Sequence, residues 1–167
     1  LANEMFLDSA SLRSSVVSHA KSLGYEVSSP RAPIAVVNVS LDTSASTKTM
    51  SAGTAFTTSV DGTDYQFVTI SDLTASNTGS SVPFDSVNIY EGSYVTTRYT
   101  VDTSDVDQTF TLGDANADTS TLTVKVQTSS SDTSTTTYTK ATDITQLSSS
   151  STVYYLQETD SGLYEVY

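Results

Sequence analysis

Cysteine and tryptophan are absent from this chain of 167 residues, and its single histidine is His19. Without cysteine there is neither a disulfide framework nor a thiolate metal site. One histidine excludes, within a single copy of the chain, any catalysis that needs two imidazoles and any metal held by several. Cationic side chains are scarce, with 7 Lys and Arg against 19 Asp and Glu, for a net charge of -12. No apolar run approaches the roughly 20 residues of a membrane-spanning helix. No basic segment followed by an apolar stretch marks a secretory signal either.

The negative charge is unevenly placed. Arg13, Lys21, Arg31 and Lys48 balance Glu4, Asp8, Glu26 and Asp42, so the whole net charge of -12 falls after residue 50. Such a surface repels phosphate and anionic lipid, which argues against nucleic acid and membrane as partners. Serine and threonine form about a third of the chain. The threonines alternate with apolar and aromatic residues, a pattern that suits a half-buried pleated surface and not disorder. The exceptions are the tracts Ser129 to Ser134 and Ser148 to Ser151, which read as turns or loops.

Met5, Leu12, Val16, Ala20 and Leu23 recur at helical spacing, widened by Phe6, Val17 and Leu7, and predict an amphipathic helix whose stripe packs on the following domain, on upstream sequence or on another subunit. Asp8 or Ser9 is the expected cap at its start, and Gly24 the left-handed residue at its end. Pro30 and Pro33 then enforce extended chain, with a boundary near Ser28 to Pro33. Beyond it the pattern has period two. In Ile34 to Leu41, Ala35, Val37 and Val39 face one way and Ile34, Val36 and Asn38 the other. Asp61-Gly62-Thr63-Asp64 predicts a hairpin between Phe56 to Val60 and Tyr65 to Ile70, and Glu91-Gly92-Ser93 a second between Val87 to Tyr90 and Tyr94 to Val101. Further strands are expected at Thr109 to Leu112, Leu122 to Gln127, Thr135 to Tyr138, Val153 to Gln157 and Leu163 to Tyr167, the last two around the turn Asp160-Ser161-Gly162. Nine or ten short strands at this spacing argue for an antiparallel β-sandwich or barrel-like domain preceded by a short amphipathic helix. The expected division is a helical lead-in over 1–30 and a β-domain over 31–167. The first residue, Leu1, and the strand-like ending Leu163 to Tyr167 read as cut points in a longer protein.

Candidate chemistry is thin. Asp114, Asn116 and Asp118 place oxygen ligands at alternate positions, as in the opening of a calcium loop. Thr119 stands where that loop needs glycine and Lys125 where it needs a bidentate glutamate, so a polar loop is the better reading and no cofactor is expected. Asp102, Asp105 and Asp107 could pair carboxyl groups for acid–base chemistry, but they follow Val101 at a strand end, where aspartate is an ordinary turn former. His19 lies among apolar helix residues with no nucleophile motif nearby, and reads as a packed or surface histidine. Ten tyrosines cluster in part: Tyr90, Tyr94 and Tyr99 around one turn, and Tyr154, Tyr155, Tyr164 and Tyr167 around another. They suit a protein interface or an aromatic glycan platform, or simply alternate between core and rim.

One resemblance extends this reading. Asn3-Glu4-Met5-Phe6-Leu7-Asp8-Ser9-Ala10 and Leu12-Arg13-Ser14-Ser15-Val16-Val17 resemble the baseplate wedge proteins of T-even-type contractile-tailed phages, within the wider baseplate J-like group. Ala20 to Tyr25, Pro30 to Pro33, Ala35 to Val39, Ala52 to Phe56, Val87 to Gly92 and Asp118 to Leu122 are similar to the same proteins. Gly162 to Tyr167 resembles the lead into a Phe-Gly-Asp-Gly segment of that family. The resemblance covers most of the chain, from Asn3 to Tyr167. It implies a structural virion protein of the tail baseplate, assembled in the host cytoplasm, with no catalytic residues and no small-molecule substrate. Its implied partners are other baseplate wedge proteins and a second copy of itself. The alternative is a carbohydrate- or receptor-binding β module of a tail fibre or adhesin.

Overall fold

The structure, a computed structural model, describes residues 2–25, 27–143, 145 and 147–167, with only the backbone of Ala2 and Asn3. It is mainly β, with one α-helix, α1 (Arg13–Ser22), near the N-terminus. Twelve strands are present among the described residues: β1 (Ile34–Asp42), β2 (Thr47–Met50), β3 (Ala55–Val60), β4 (Thr63–Val68), β5 (Leu73–Ser76), β6 (Ser81–Glu91), β7 (Phe110–Thr111), β8 (Val124–Val126), β9 (Thr136–Lys140), β10 (Val153–Tyr154), β11 (Leu156–Glu158) and β12 (Tyr164–Val166). Contacts group the chain into two compact units. One is Leu1–Arg31 with Arg98–Tyr167; the other, Ala32–Thr97, is inserted into it in sequence. The expected division near residue 30 set the helix apart from all the strands, whereas here α1 belongs with β7 to β12.

The inserted unit is a four-stranded antiparallel sheet in the order β1-β6-β4-β3, with a β2-β5 pair. Val82, Phe84, Val87 and Ile89 of β6 form its buried centre, packed by Ala35, Val37, Val39, Met50, Phe56, Phe67, Leu73 and Ala75. The alternation expected of β1 is therefore the one observed. The first hairpin forms as expected, with a tighter turn: Asp61 and Gly62 have positive φ, 52° and 80°, the condition for a two-residue turn that matches strand twist, and Thr63 and Asp64 already belong to β4. The pairing of β1 with β6 shifts register between Val37 and Val39, where Ser86 adopts φ 54°. Its N–H donates to the Asn38 side-chain oxygen at 2.7 Å, so a side chain serves the backbone group that the bulge displaces from the ladder.

The expected hairpin partner, Tyr94 to Val101, is not a strand. The reason is geometric. β6 already has β1 on one side and β4 on the other, with Phe67 opposite Glu91, so no edge is left beside it. Two strands escaped the sequence reading. β2 and β5 are rich in threonine and serine, and they pair with each other from Thr47 opposite Ser76 to Met50 opposite Leu73.

In the helix-bearing unit, β11-β12-β7 is antiparallel, while β10-β9-β8 contains one parallel pair, β10 with β9. From Val153 to Glu158 every second residue is buried: Tyr154, Leu156 and Glu158. Tyr154 and Leu156 join Tyr164 and Val166 in a core flanked by Phe110, Leu112, Leu122, Val124 and Tyr138. Glu158 thus occupies the third inward position of an otherwise apolar row, and its carboxylate needs a partner.

Candidate functional site

That partner comes from α1. Arg13 meets Glu158 with two bonds of 2.9 Å, Nε to Oε1 and Nη2 to Oε2. The glutamate side chain is 2% exposed and that of the arginine 62%. Two turns along the same helix face, the Lys21 ammonium donates to the Glu158 carbonyl oxygen. Val17 lies between them and is the buried residue of the helix. The Glu158 carboxylate holds the guanidinium above its ordinary pKa, first through the hydrogen bonds and then through charge. The Tyr164 phenol is also raised, by burial first and then by the charge of Glu158.

The face of α1 turned inward is therefore Arg13-Val17-Lys21, which shares only Val17, at the margin of the expected stripe, with that stripe. Leu12 and Leu23 are 59% and 62% exposed, and Val16 and Met5 are exposed as well. This rotation gives the buried Glu158 carboxylate its partner, and that pairing sets the helix orientation while Leu12, Val16 and Leu23 stay in water.

The helix start also differs from expectation. Neither Asp8 nor Ser9 caps it; Leu12 is the N-cap residue and makes no side-chain cap. Glu4, from a 3-10 turn at Ala2–Met5, supplies the carboxylate instead. It accepts the N–H groups of Ser11 at 3.2 Å and Leu12 at 3.2 Å, and the Ser11 hydroxyl at 2.9 Å. These bonds, that of the Ser11 hydroxyl first, hold its pKa below the usual value. A negative group at a helix N-terminus is also favoured by the helix dipole. His19 Nε2 donates to the Glu4 carbonyl oxygen at 2.8 Å, so the candidate histidine ties the 3-10 turn to the helix. At the far end Gly24, φ 79°, ends the helix as expected: its N–H donates to Lys21 O and that of Tyr25 to Ala20 O, both at 2.9 Å.

This construction leaves a run of large apolar side chains in solvent: Met5, Phe6, Leu7, Leu12, Leu23 and Tyr25. The segment carrying them is locally neutral, since Glu4 and Asp8 are matched by Arg13 and Lys21. Large apolar side chains left in water in one segment are candidates for a surface that another molecule covers.

The remaining candidates hold their own backbone. Asp114 Oδ1 accepts the Asn116 N–H at 2.8 Å, and Asp118 Oδ1 accepts the N–H and hydroxyl of Ser120 at 2.9 and 2.5 Å. Asp118 caps the short 3-10 turn Thr119–Thr121. Among the described residues no group of three or more His, Asp or Glu is placed to hold a metal ion. Asp102 Oδ1 accepts from Ser104, and Asp105 Oδ1 from the Asp107 N–H, all on an exposed loop. The Ser104 bonds lower the Asp102 pKa, the opposite of what a proton donor requires.

Four tyrosines sort into a core pair and an outer pair. Tyr154 and Tyr164 are buried, while Tyr155 and Tyr167 stack with centroids 5.5 Å apart and planes at 21°. Tyr99 lies against Phe110 at 5.3 Å, tilted by 44°. The Tyr155 hydroxyl is buried with no hydrogen-bond partner among the described residues. Its ring lines an open hollow of about 240 Å³, with Lys21, Tyr25, Val27 and Lys140 among its walls. A hollow of about 320 Å³ in the inserted unit is lined by Val39, Leu41, Lys48, Met50, Thr54 and Phe84. No protein-family model matches the chain, and no curated protein is significantly similar to it in sequence.

Proposed function

We propose that the chain is a structural component of a contractile-tail baseplate wedge, a non-enzymatic β scaffold through which subunits assemble. The observation that carries this reading is the exposed apolar run Met5, Phe6, Leu7, Leu12, Leu23 and Tyr25. It lies in the segment that most resembles the wedge proteins, and covering it with another protein removes substantial apolar area from water. The partners proposed are other wedge proteins and a second copy of the chain, within the virion tail. Assembly in a reducing host cytoplasm suits a chain without cysteine. Nucleic acid, membrane and small-molecule substrates have no place in this reading. A glycan-binding role would require exposed rings forming an open platform. Tyr154 and Tyr164 are buried and offer no such platform, whereas Tyr94, Tyr99 and Tyr167 are exposed and are the rings on which that second reading would rest.

The test is co-expression with the wedge proteins encoded beside it, followed by affinity capture. A stable complex that weakens when Phe6 and Leu12 are changed to serine is the expected result. Failure to capture any neighbour, or capture indifferent to those two changes, defeats the proposal.

A further inference from the structure

The inserted unit has an open sheet edge along β1, and its chemistry specifies what can dock there. Pro33 O accepts the Glu91 N–H at 2.9 Å, which fixes the alternation of β1: Ala35 and Val37 turn their backbone groups toward β6, and Ile34 and Val36 turn theirs away. The extra residue of the bulge is on β6, so the alternation in β1 continues through Asn38 and Ser40. No hydrogen bond from the outward N–H groups of Ile34, Val36, Asn38 or Ser40 is made among the described residues. Natural edges of this length are normally blocked by lysine, proline, an inward charge or a bulge; here the extra residue of the bulge is on β6 and the one charge, Asp42, closes the far end of β1. Ile34 to Leu41 contains none of these, and Ile34 and Val36 are 58% and 63% exposed beside the open edge.

Charge selects the occupant. The inserted unit carries Asp42, Asp61, Asp64, Asp72, Asp85 and Glu91 against the single cation Lys48. A second copy brings the same excess and is repelled, whereas a cationic chain is drawn in. We propose that the β1 edge binds an extended segment of a different protein, a β-strand with alternating apolar side chains and basic flanks, which adds to the sheet beside Ile34, Val36, Asn38 and Ser40. Backbone bonds supply the affinity, and the exposed Ile34 and Val36 give its apolar side chains neighbours on one face. This surface is separate in sequence from the N-terminal apolar run, and the inference does not rest on the baseplate reading.

The experiment uses the full chain, labelled with nitrogen-15, and three end-blocked peptides of alternating valine and threonine: one flanked by lysines, one by glutamates, and one lysine-flanked with a central proline. The expected result is that the lysine-flanked peptide shifts and protects the amides of Ile34, Val36, Asn38 and Ser40. The glutamate-flanked and proline-bearing peptides should bind at least about tenfold more weakly. Val36→Pro removes an outward N–H without breaking the ladder to β6, and should abolish binding while the other amide resonances keep their positions. Thr57→Pro, at the opposite edge strand β3, should leave binding intact. The proposal is overturned if no peptide binds at millimolar concentration, if the shifts map to β3, or if the glutamate-flanked peptide binds equally well. Sedimentation showing that the chain dimerises through β1 in a manner abolished by Val36→Pro would assign the edge to a second copy, and would also overturn it.

Discussion

Replacing Arg13 by alanine removes the partner of a carboxylate that is 2% exposed. Breaking a fully buried ion pair costs about 3–5 kcal/mol, because the remaining charge stays desolvated. Here the arginine itself is 62% exposed, so water reaches the vacated place and relieves part of that penalty. Discounted for this screening, the expected loss is about 1–3 kcal/mol. The loss should be local. Amide exchange at Val17 in α1 and at Glu158 and Tyr164 should quicken by the corresponding factor, roughly 5–150-fold, while Val87 and Ile89 in the inserted unit act as an internal control. Glu158→Gln should cost less than Arg13→Ala, since it leaves no buried charge. The double variant Arg13→Met with Glu158→Leu should recover most of the loss, as apolar replacements of buried pairs do. Unchanged exchange at Val17 in Arg13→Ala, within about 0.3 kcal/mol, would refute the argument that Glu158 sets the rotation of the helix.

Glu4→Gln should fray the start of α1, seen as faster exchange at Ser11 and Leu12. The folded pKa of Glu4 lies below its ordinary 4.5, so its contribution is complete above about 4.5 and is lost as pH falls through the depressed value. The same amides should therefore lose protection in acid before those of β6 do. Asn38→Ala leaves the Ser86 N–H at the bulge without its 2.7 Å acceptor and should destabilise the inserted unit by about 1 kcal/mol in urea titration, whereas Ser86→Gly should be neutral or stabilising because φ is 54° there. Tyr155→Phe removes a hydroxyl that is buried without a partner among the described residues, and should be neutral or raise stability by up to about 1 kcal/mol in the same titration. Residues 32–97 expressed alone should give a dispersed amide spectrum, since the segment has its own buried centre on β6.

Local signals in the sequence were legible where one segment determines its own conformation. The Asp61-Gly62 turn, the alternation of β1 and the helix end at Gly24 all need only residues a few positions apart. What the sequence did not display is pairing across distance. Glu4 caps amides seven and eight residues ahead, and Arg13 and Glu158 stand 145 positions apart. Read alone, Leu12, Val16, Ala20 and Leu23 make a better core stripe than Arg13, Val17 and Lys21 do. Only the buried position of Glu158, visible once Tyr154 and Leu156 are seen to face inward, reverses that choice. The tyrosines were ambiguous for a related reason. Tyr154 and Tyr155 are adjacent and chemically identical, and their opposite fates follow from the pleat direction, which the partner strand sets.

The second hairpin signal failed because turn chemistry is necessary for a hairpin and not sufficient. Gly92 does adopt a positive φ, 124°, and the chain does turn there. A returning strand, however, needs a vacant edge, and β6 has none because β1 and β4 flank it. The same fact explains the inserted arrangement of the chain. With β6 central and β1 beside it, the entry at Pro33 and the exit at Glu91 are bonded to each other at 2.9 Å. A segment whose ends meet in this way can be set into another unit without separating the parts on either side of it. Pro30 and Pro33 punctuate the entry and mark a boundary in the sequence, whereas the return near Arg98 has no proline and only Gly92 before it. The one-sided punctuation hid the insertion, and with it the assignment of α1 to strands that begin about a hundred residues later. Because β6 is central, the free edges of the four-stranded sheet are β1 and β3, and β1, the longer and more apolar of the two, is the one that a basic strand would extend.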